Sequence, residues 1–308
     1  MTSEAVADTP RPARTLANAM PWIFVLIWST GFVVARFGMP HSPPFTFLAL
    51  RFALSLACFL LWVILARVDW PADRAQWLHL AVVGMLLHTG YLGGVWAAVK
   101  AGIGAGTVAL IVGLQPVLTA TWMTWVASRA DAGHDGSRVT ARQWLGLALG
   151  LGGLALVVWN KLGGGEVTPR NLLLAVSALL AITTGTLYQK RFVAACDVRT
   201  ASVIQLFAAF LTTLPLAMLE AEPLVWHPHL IGSLAWSVLA LTLGGSSLLY
   251  MLIQRGAATR VTSLMYLVPP CTAMLALALF GESFTWSMLA GMVMTVSGVA
   301  MVVRASAT

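Results

Sequence analysis

Among the polar side chains that fall inside otherwise apolar stretches of this chain are Arg51, His88, Tyr91 and Gln115. Polar groups in such surroundings face the protein interior or a watery path, because lipid cannot satisfy them. A guanidinium grips carboxylates through paired N–H groups, so Arg51 can draw an acidic group inward. It can equally extend its charge to the interface along its aliphatic stem, or pair with a helix C-terminus. An imidazole takes up or releases a proton near neutral pH, so His88 can bind substrate, carry a proton or simply hydrogen-bond a neighbouring helix. Tyr91 follows His88 by three residues and shares nearly the same helical face. Together they suit a carboxylate or an amine. Gln115 adds an amide at similar depth. The deeper aromatics Trp28, Trp96, Tyr250 and Tyr266 serve either as packing or as cavity wall. Pro116, Pro269 and Pro270 remove backbone donors within two apolar stretches and free the carbonyls four residues earlier. They are expected to kink their helices, and as candidate gating elements to shape a cavity.

The residues that are missing matter as much. All eleven acids, from Glu4 to Glu282, lie between the apolar stretches or in the termini, so no carboxylate relay crosses the apolar region. There is no Gly-Lys pair, hence no phosphate-binding Gly-Lys-Ser/Thr loop, and no Gly-x-Ser-x-Gly, His-Glu-x-x-His or buried aspartate pair. The chain is therefore not expected to be an enzyme or to need a cofactor. His227-Pro228-His229 has no further ligand nearby in sequence, and no metal site is expected from it. Cys58, Cys196 and Cys271 are odd in number and lack Cys-x-x-Cys spacing, which excludes a disulfide framework.

The elements that position these residues follow from composition. Of 308 residues 59% are apolar and 9% charged, too few charges to cover a soluble surface, where roughly 25% is usual. Apolar runs fall at about 20–38, 44–66, 77–98, 104–127, 143–159, 171–189, 200–219, 228–253, 258–280 and 284–303. Each is near the roughly 20 residues that span a bilayer as helix. They are continuously apolar rather than alternating, which excludes a barrel. The reading is an all-α integral membrane protein with ten transmembrane helices. With the N-terminus in the cytoplasm, 13 Lys and Arg fall on the cytoplasmic side and 4 on the other, with Arg51 inside a span. Positive residues concentrate on the cytoplasmic face, so both termini are expected there. The net charge of +7 is scattered singly between apolar runs, which argues for topology signals and against nucleic acid.

A shift of 154 residues lays the chain on itself. Gly31 falls on Gly185, Leu87 on Leu241, Trp96 on Tyr250, Gly102 on Gly256 and Pro116 on Pro270, with Arg51 on Gln205. Five spans per repeat is odd, so the second repeat enters the membrane from the opposite side. Such inverted repeats are a common basis of alternating access around a midplane site. The division expected is a cytoplasmic tail at 1–19, a first five-helix repeat at 20–160, a linker at 161–170 and a second repeat at 171–304. Glycines at 146, 150, 153, 291 and 298 let helices approach closely. Their use within one chain leaves a monomer or a weak homodimer.

Trp28-Ser29-Thr30-Gly31, Leu50-Arg51-Phe52, the proline-centred fourth and ninth spans, and Phe280-Gly281-Glu282 followed by Gly291 carry a resemblance. On these residues the chain resembles the drug/metabolite transporter superfamily, specifically its EamA-type exporters. The first half has Ser128-Arg129-Ala130-Asp131 where the second has its Gly-Glu turn. The resemblance implies a bacterial inner-membrane exporter of amino acids and other metabolites. It also implies a cavity lined by spans one to four and six to nine. The substrates consistent with it are amino acids first, then hydrophobic drugs or nucleosides; a passive channel is the rival reading.

Overall fold

A computed structural model describes residues 11–130, 140–163, 165–254, 265–282 and 285–306. The described residues contain helices and no strand. In chain order these are α1 (Arg11–Gly38), α2 (Pro44–Ala66), α3 (Arg74–Lys100), α4 in two parts (Ala105–Val112 and Gln115–Ala130), α5 (Ala141–Gly163), α6 (Pro169–Phe192), α7 (Val198–Met218), α8 (228–254), α9 (Val268–Phe280) and α10 (Trp286–Ser306). Seven stretches, in α1 to α4 and α6 to α8, are long and apolar enough to cross a membrane. Those in α5, α9 and α10 are apolar and shorter. Large apolar side chains face outward along the bundle, including Leu65, Trp159, Leu219 and Trp286. In water such a surface would aggregate; in lipid it is the expected exterior.

Polar groups hold the ends of the bundle. At one end Glu220 accepts from the backbone N–H groups of Phe45 and Thr46 at 3.0 and 2.7 Å, closing the start of α2. Glu166 and Glu282 accept from Gly104 N–H and Ala105 N–H, each at 3.0 Å, at the start of α4. Carboxylates at helix N-termini satisfy orphan donors and favour the dipole. Glu282 is also paired with Arg36, and Lys161 with Glu166 at 2.8 Å. Glu282→Ala strips partners from both a guanidinium and a helix start. It should destabilise the protein by about 1–3 kcal/mol, read as a lower thermal unfolding temperature in detergent. At the other end Gln76 exchanges hydrogen bonds with Ala194, and Asp197 caps α7. The hydrogen-bonded Arg199 guanidinium holds the Asp197 carboxyl below its ordinary pKa, so this cap is charged at neutral pH.

The prolines do not kink continuous helices as their position in the apolar runs suggests. α4 breaks at Gly113–Leu114, and Pro116 is the second residue of its second part. Pro269 and Pro270 sit in the first turn of α9. A proline there loses nothing, since the first-turn N–H groups have no helical partner. The two breaks meet: a Cβ on Gly113 would stand 2.8 Å from Pro269 Cγ.

Helix pairs approach most closely at glycines. A Cβ on Gly153 would lie 2.4 Å from Gly291 O, and one on Gly298 2.4 Å from Gly146 O, so α5 and α10 pack backbone to backbone. Contacts elsewhere come in reciprocal pairs. Gly31 packs on Leu241, while Gly185 packs on Leu87. Residues 31 and 185, and 87 and 241, are related by the 154-residue shift. The contacts are what a twofold exchange of the two halves produces. The first-half turn at 128–131 has no counterpart to describe: the side chains of 128–130, and Asp131, lie outside the described residues.

Candidate functional site: a cavity between the two halves

Two helices, α3 and α8, each carry a wide-turn segment. Residues Met85–Leu92 of α3 and Ser237–Gly244 of α8 are π-helical. Such turns are rare and concentrate at functional sites, because they re-aim side chains and leave backbone less tightly bonded. Here they face a cavity of roughly 270 Å³. Its wall comes from α1 (Trp28, Gly31, Phe32), α2 (Arg51), α3 (Leu87, His88, Tyr91 and Trp96 among others), α6 (Ile182, Thr186) and α8 (Leu241, Thr242, Ser246). Cavities that take drug-sized ligands run from about 300 to 1,000 Å³, so this one suits a small metabolite.

The structure gathers Arg51, His88, Tyr91, Trp28 and Trp96 around this one space. Trp96 stacks on Phe47 with ring centroids 4.3 Å apart, and both are almost fully buried. Trp28 packs on Phe24 at 5.3 Å. Phe52 meets the His88 ring edge-on at 5.7 Å. Gln115 is not in the wall itself. Its Nε2 donates to Thr186 Oγ1, a wall atom, at 3.3 Å and to Thr119 Oγ1 at 3.1 Å. The side chains of Tyr250 and Tyr266 lie outside the described residues. Pro116, Pro269 and Pro270 start helices beside the cavity rather than lining it.

Arg51 is 7% exposed, and its Nε and Nη2 donate to a single acceptor, Thr242 Oγ1, at 3.3 and 3.1 Å. Among the described residues no carboxylate pairs with it. It stands within electrostatic reach of His88 and Tyr91. A guanidinium has five donors, so this one retains donors that meet no acceptor among the described residues. Chemically the site is a buried cation with a phenol and an imidazole beside it, walled by aromatic and aliphatic groups.

Sequence reasoning missed Thr242, Thr186 and Phe32. Thr242 was within reach, because it is the residue 154 positions after His88. Gln205, the counterpart of Arg51, lies beside His88. Arg51 with Thr242 and Gln205 with His88 are thus the same contact made twice, once in each half.

Comparison with known proteins adds the decisive observation. The family model of the EamA-like transporter family matches residues 19–159 and again 170–304. The chain belongs to the EamA-like transporter family. It is 25% identical over 287 residues to a protein of Salmonella typhimurium named a probable amino-acid metabolite efflux pump, covering 90% of this chain and 91% of that one. It is 26% identical to the uncharacterized inner membrane transporter YedA of Escherichia coli K12, covering 84% and 81%. A crystal structure 18% identical in sequence superposes on 95% of this chain and 99% of that chain with a TM-score of 0.63, a likeness of fold. For this EamA-family transporter, the resemblance seen in Trp28–Gly31 and Phe280–Glu282 therefore extends over both halves. Its cavity is the natural place to look for a transported solute.

Proposed function

We propose that this EamA-family protein exports small metabolites, amino acids foremost, by alternating access across the bacterial inner membrane. In this reading ten helices cross the bilayer as two inverted five-helix repeats, with both termini cytoplasmic. The reciprocal contacts Gly31–Leu241 and Gly185–Leu87 support the pseudo-symmetry. The close α5–α10 packing uses the glycine faces within the chain and supports a monomer.

One observation carries the substrate class: the Arg51 guanidinium faces the cavity with no carboxylate partner among the described residues. A buried cation is costly unless a counter-charge completes it, and a substrate carboxylate is the charge that fits. Tyr91 and His88 then contact the rest of the polar head, and the apolar wall receives the side chain. The relatives named as probable amino-acid metabolite efflux pumps in Salmonella typhimurium and Escherichia coli support the same class. The aromatic wall of Trp28, Phe32 and Trp96 favours a second reading, export of hydrophobic drugs or nucleosides.

The test is counterflow of labelled amino acids in liposomes holding the purified protein, without an ion gradient. Saturable exchange is expected, weakened several-fold by both His88→Ala and Gln115→Ala. Absence of exchange for every amino acid shifts the substrate to the second reading. Non-saturable flux would instead indicate a passive channel. No acid lies in an apolar run, so the expected mode is exchange or facilitated diffusion, with His88 the candidate for any proton coupling. Unchanged transport and proton flux in His88→Ala would remove His88 from that role.

A further inference from the structure

Three histidines that do not line the cavity form a second constellation. His41 lies in the turn between α1 and α2, while His227 and His229 lie at the start of α8. The fold brings these separate segments together: Val225 N–H donates to His41 O at 2.9 Å. The His41 and His227 rings stack with centroids 4.1 Å apart and planes 9° from parallel. The His229 ring is 4.7 Å from His227 and 5.9 Å from His41. One ring nitrogen from each of the three lies within 4.8 Å of the others. The sequence shows only a pair; the third imidazole arrives through the fold.

We propose that His41, His227 and His229 form a site for a first-row divalent transition cation of the Zn²⁺ class, which fastens the α1–α2 turn of the first half to the start of α8 in the second. Three imidazoles without a carboxylate select zinc, copper or nickel over magnesium and calcium, whose ligands are oxygens. Zinc–nitrogen bonds are about 2.0–2.1 Å and tetrahedral, so the nitrogens must close in by about an ångström or more from their present spacing. Surface histidines can do this by side-chain rotation, since His41 and His227 are only partly buried and His229 is exposed. The exposed side leaves room for a water as fourth ligand.

The backbone is prepared for such a role. Pro40 and Pro43 flank His41, and Pro228 separates the other two. Proline fixes φ, so little backbone freedom remains to be lost on binding. The neighbouring cation, Lys100, is held by Glu222 at 2.5 Å and by Met39 O at 2.9 Å, which offsets its repulsion of a metal ion. One existing bond opposes binding. His227 Nδ1 accepts from His229 N–H at 3.1 Å, capping α8. Ligation through either nitrogen of His227 exchanges that cap for a metal bond.

The experiment is equilibrium binding to the purified full chain in detergent, with Co²⁺ as the spectroscopic probe and Zn²⁺ measured by competition with a chromophoric chelator. One ion per chain is expected. His41→Gln, His227→Gln and His229→Gln should each weaken it at least tenfold. His79→Gln and His88→Gln, at the other end and in the cavity, should leave it unchanged. Absence of binding, or binding that survives any one of the three substitutions, overturns the three-ligand site; so does loss of binding in the His79 or His88 variant. No transport is measured, so this outcome is independent of the export reading.

Discussion

Arg51→Ala is expected to lower the apparent affinity for a carboxylate substrate by about 10- to 100-fold in the counterflow assay, while leaving the empty protein at least as stable as before. The size follows from the roughly 1.5–3 kcal/mol that a hydrogen bond to a charged group contributes, at about 1.4 kcal/mol per factor of ten. The stability half of the expectation separates function from structure. A guanidinium tied to its bundle would unfold the protein when removed. Here the guanidinium is 7% exposed and, among the described residues, is answered by one hydroxyl, Thr242 Oγ1. An unpaired buried charge is a cost to the empty state, and because Arg51 borders the cavity its truncation enlarges that space rather than opening a new void in the packed core. Arg51→Lys keeps the charge but loses the planar fork, and should fall between the two. Thermal unfolding in detergent alongside counterflow checks both halves. A large fall in unfolding temperature with intact affinity in the folded fraction would falsify the binding role.

How much of this was legible beforehand can be traced residue by residue. Apolar run length located the helices, because a bilayer enforces one simple rule on every span. Helical spacing puts His88 and Tyr91 on one face, while Arg51 falls nearer one end of its own run; the structure brings all three to one cavity. Gln115, expected at a depth similar to that of His88, reaches the cavity only through Thr186. A helix-face argument depends on rotation about the axis, and the break at Gly113–Leu114 resets that rotation. The prolines were misjudged for a related reason. Their lost donors matter inside a helix and not at its start, and the apolar run does not reveal where a helix starts. The π-turns at Met85–Leu92 and Ser237–Gly244 leave no mark in residue type. The helices packed against them, α6 and α7 on the first and α2 on the second, are distant in sequence. His41 joining His227 and His229 is the same kind of fact, set by tertiary contact across the two halves.

Gly84→Ala should both destabilise the protein and weaken substrate binding, whereas Gly153→Ala should do only the first. The two glycines face equal steric demands. A Cβ at 84 would stand 2.3 Å from Gln205 O and 2.6 Å from Gln205 Cα; a Cβ at 153 would stand 2.4 Å from Gly291 O. In both cases the obstacle is backbone, so the added methyl cannot be met by rotating a side chain, and the helices must separate. Overpacking of this kind costs about 1–3 kcal/mol. The consequences diverge because of what each contact carries. Gly84 lies one turn before His88 on α3, and the backbone it presses belongs to Gln205, the residue beside His88. α7 lines no part of the cavity itself, so moving it away from α3 acts through His88, a wall residue, by withdrawing Gln205. The α5–α10 seam contributes no residue to that wall among the described residues, and none of its glycines presses on a partner of His88. Gly232→Ala is the control, with nothing within 4 Å of its added carbon. Unfolding temperatures should fall for the first two variants and hold for the third, and the concentration for half-maximal exchange should rise for Gly84→Ala alone. A rise for Gly153→Ala of the same size would mean that binding depends on the rigidity of the whole bundle rather than on the α3–α7 contact, and the cavity would then have to be redrawn to include the two peripheral helices.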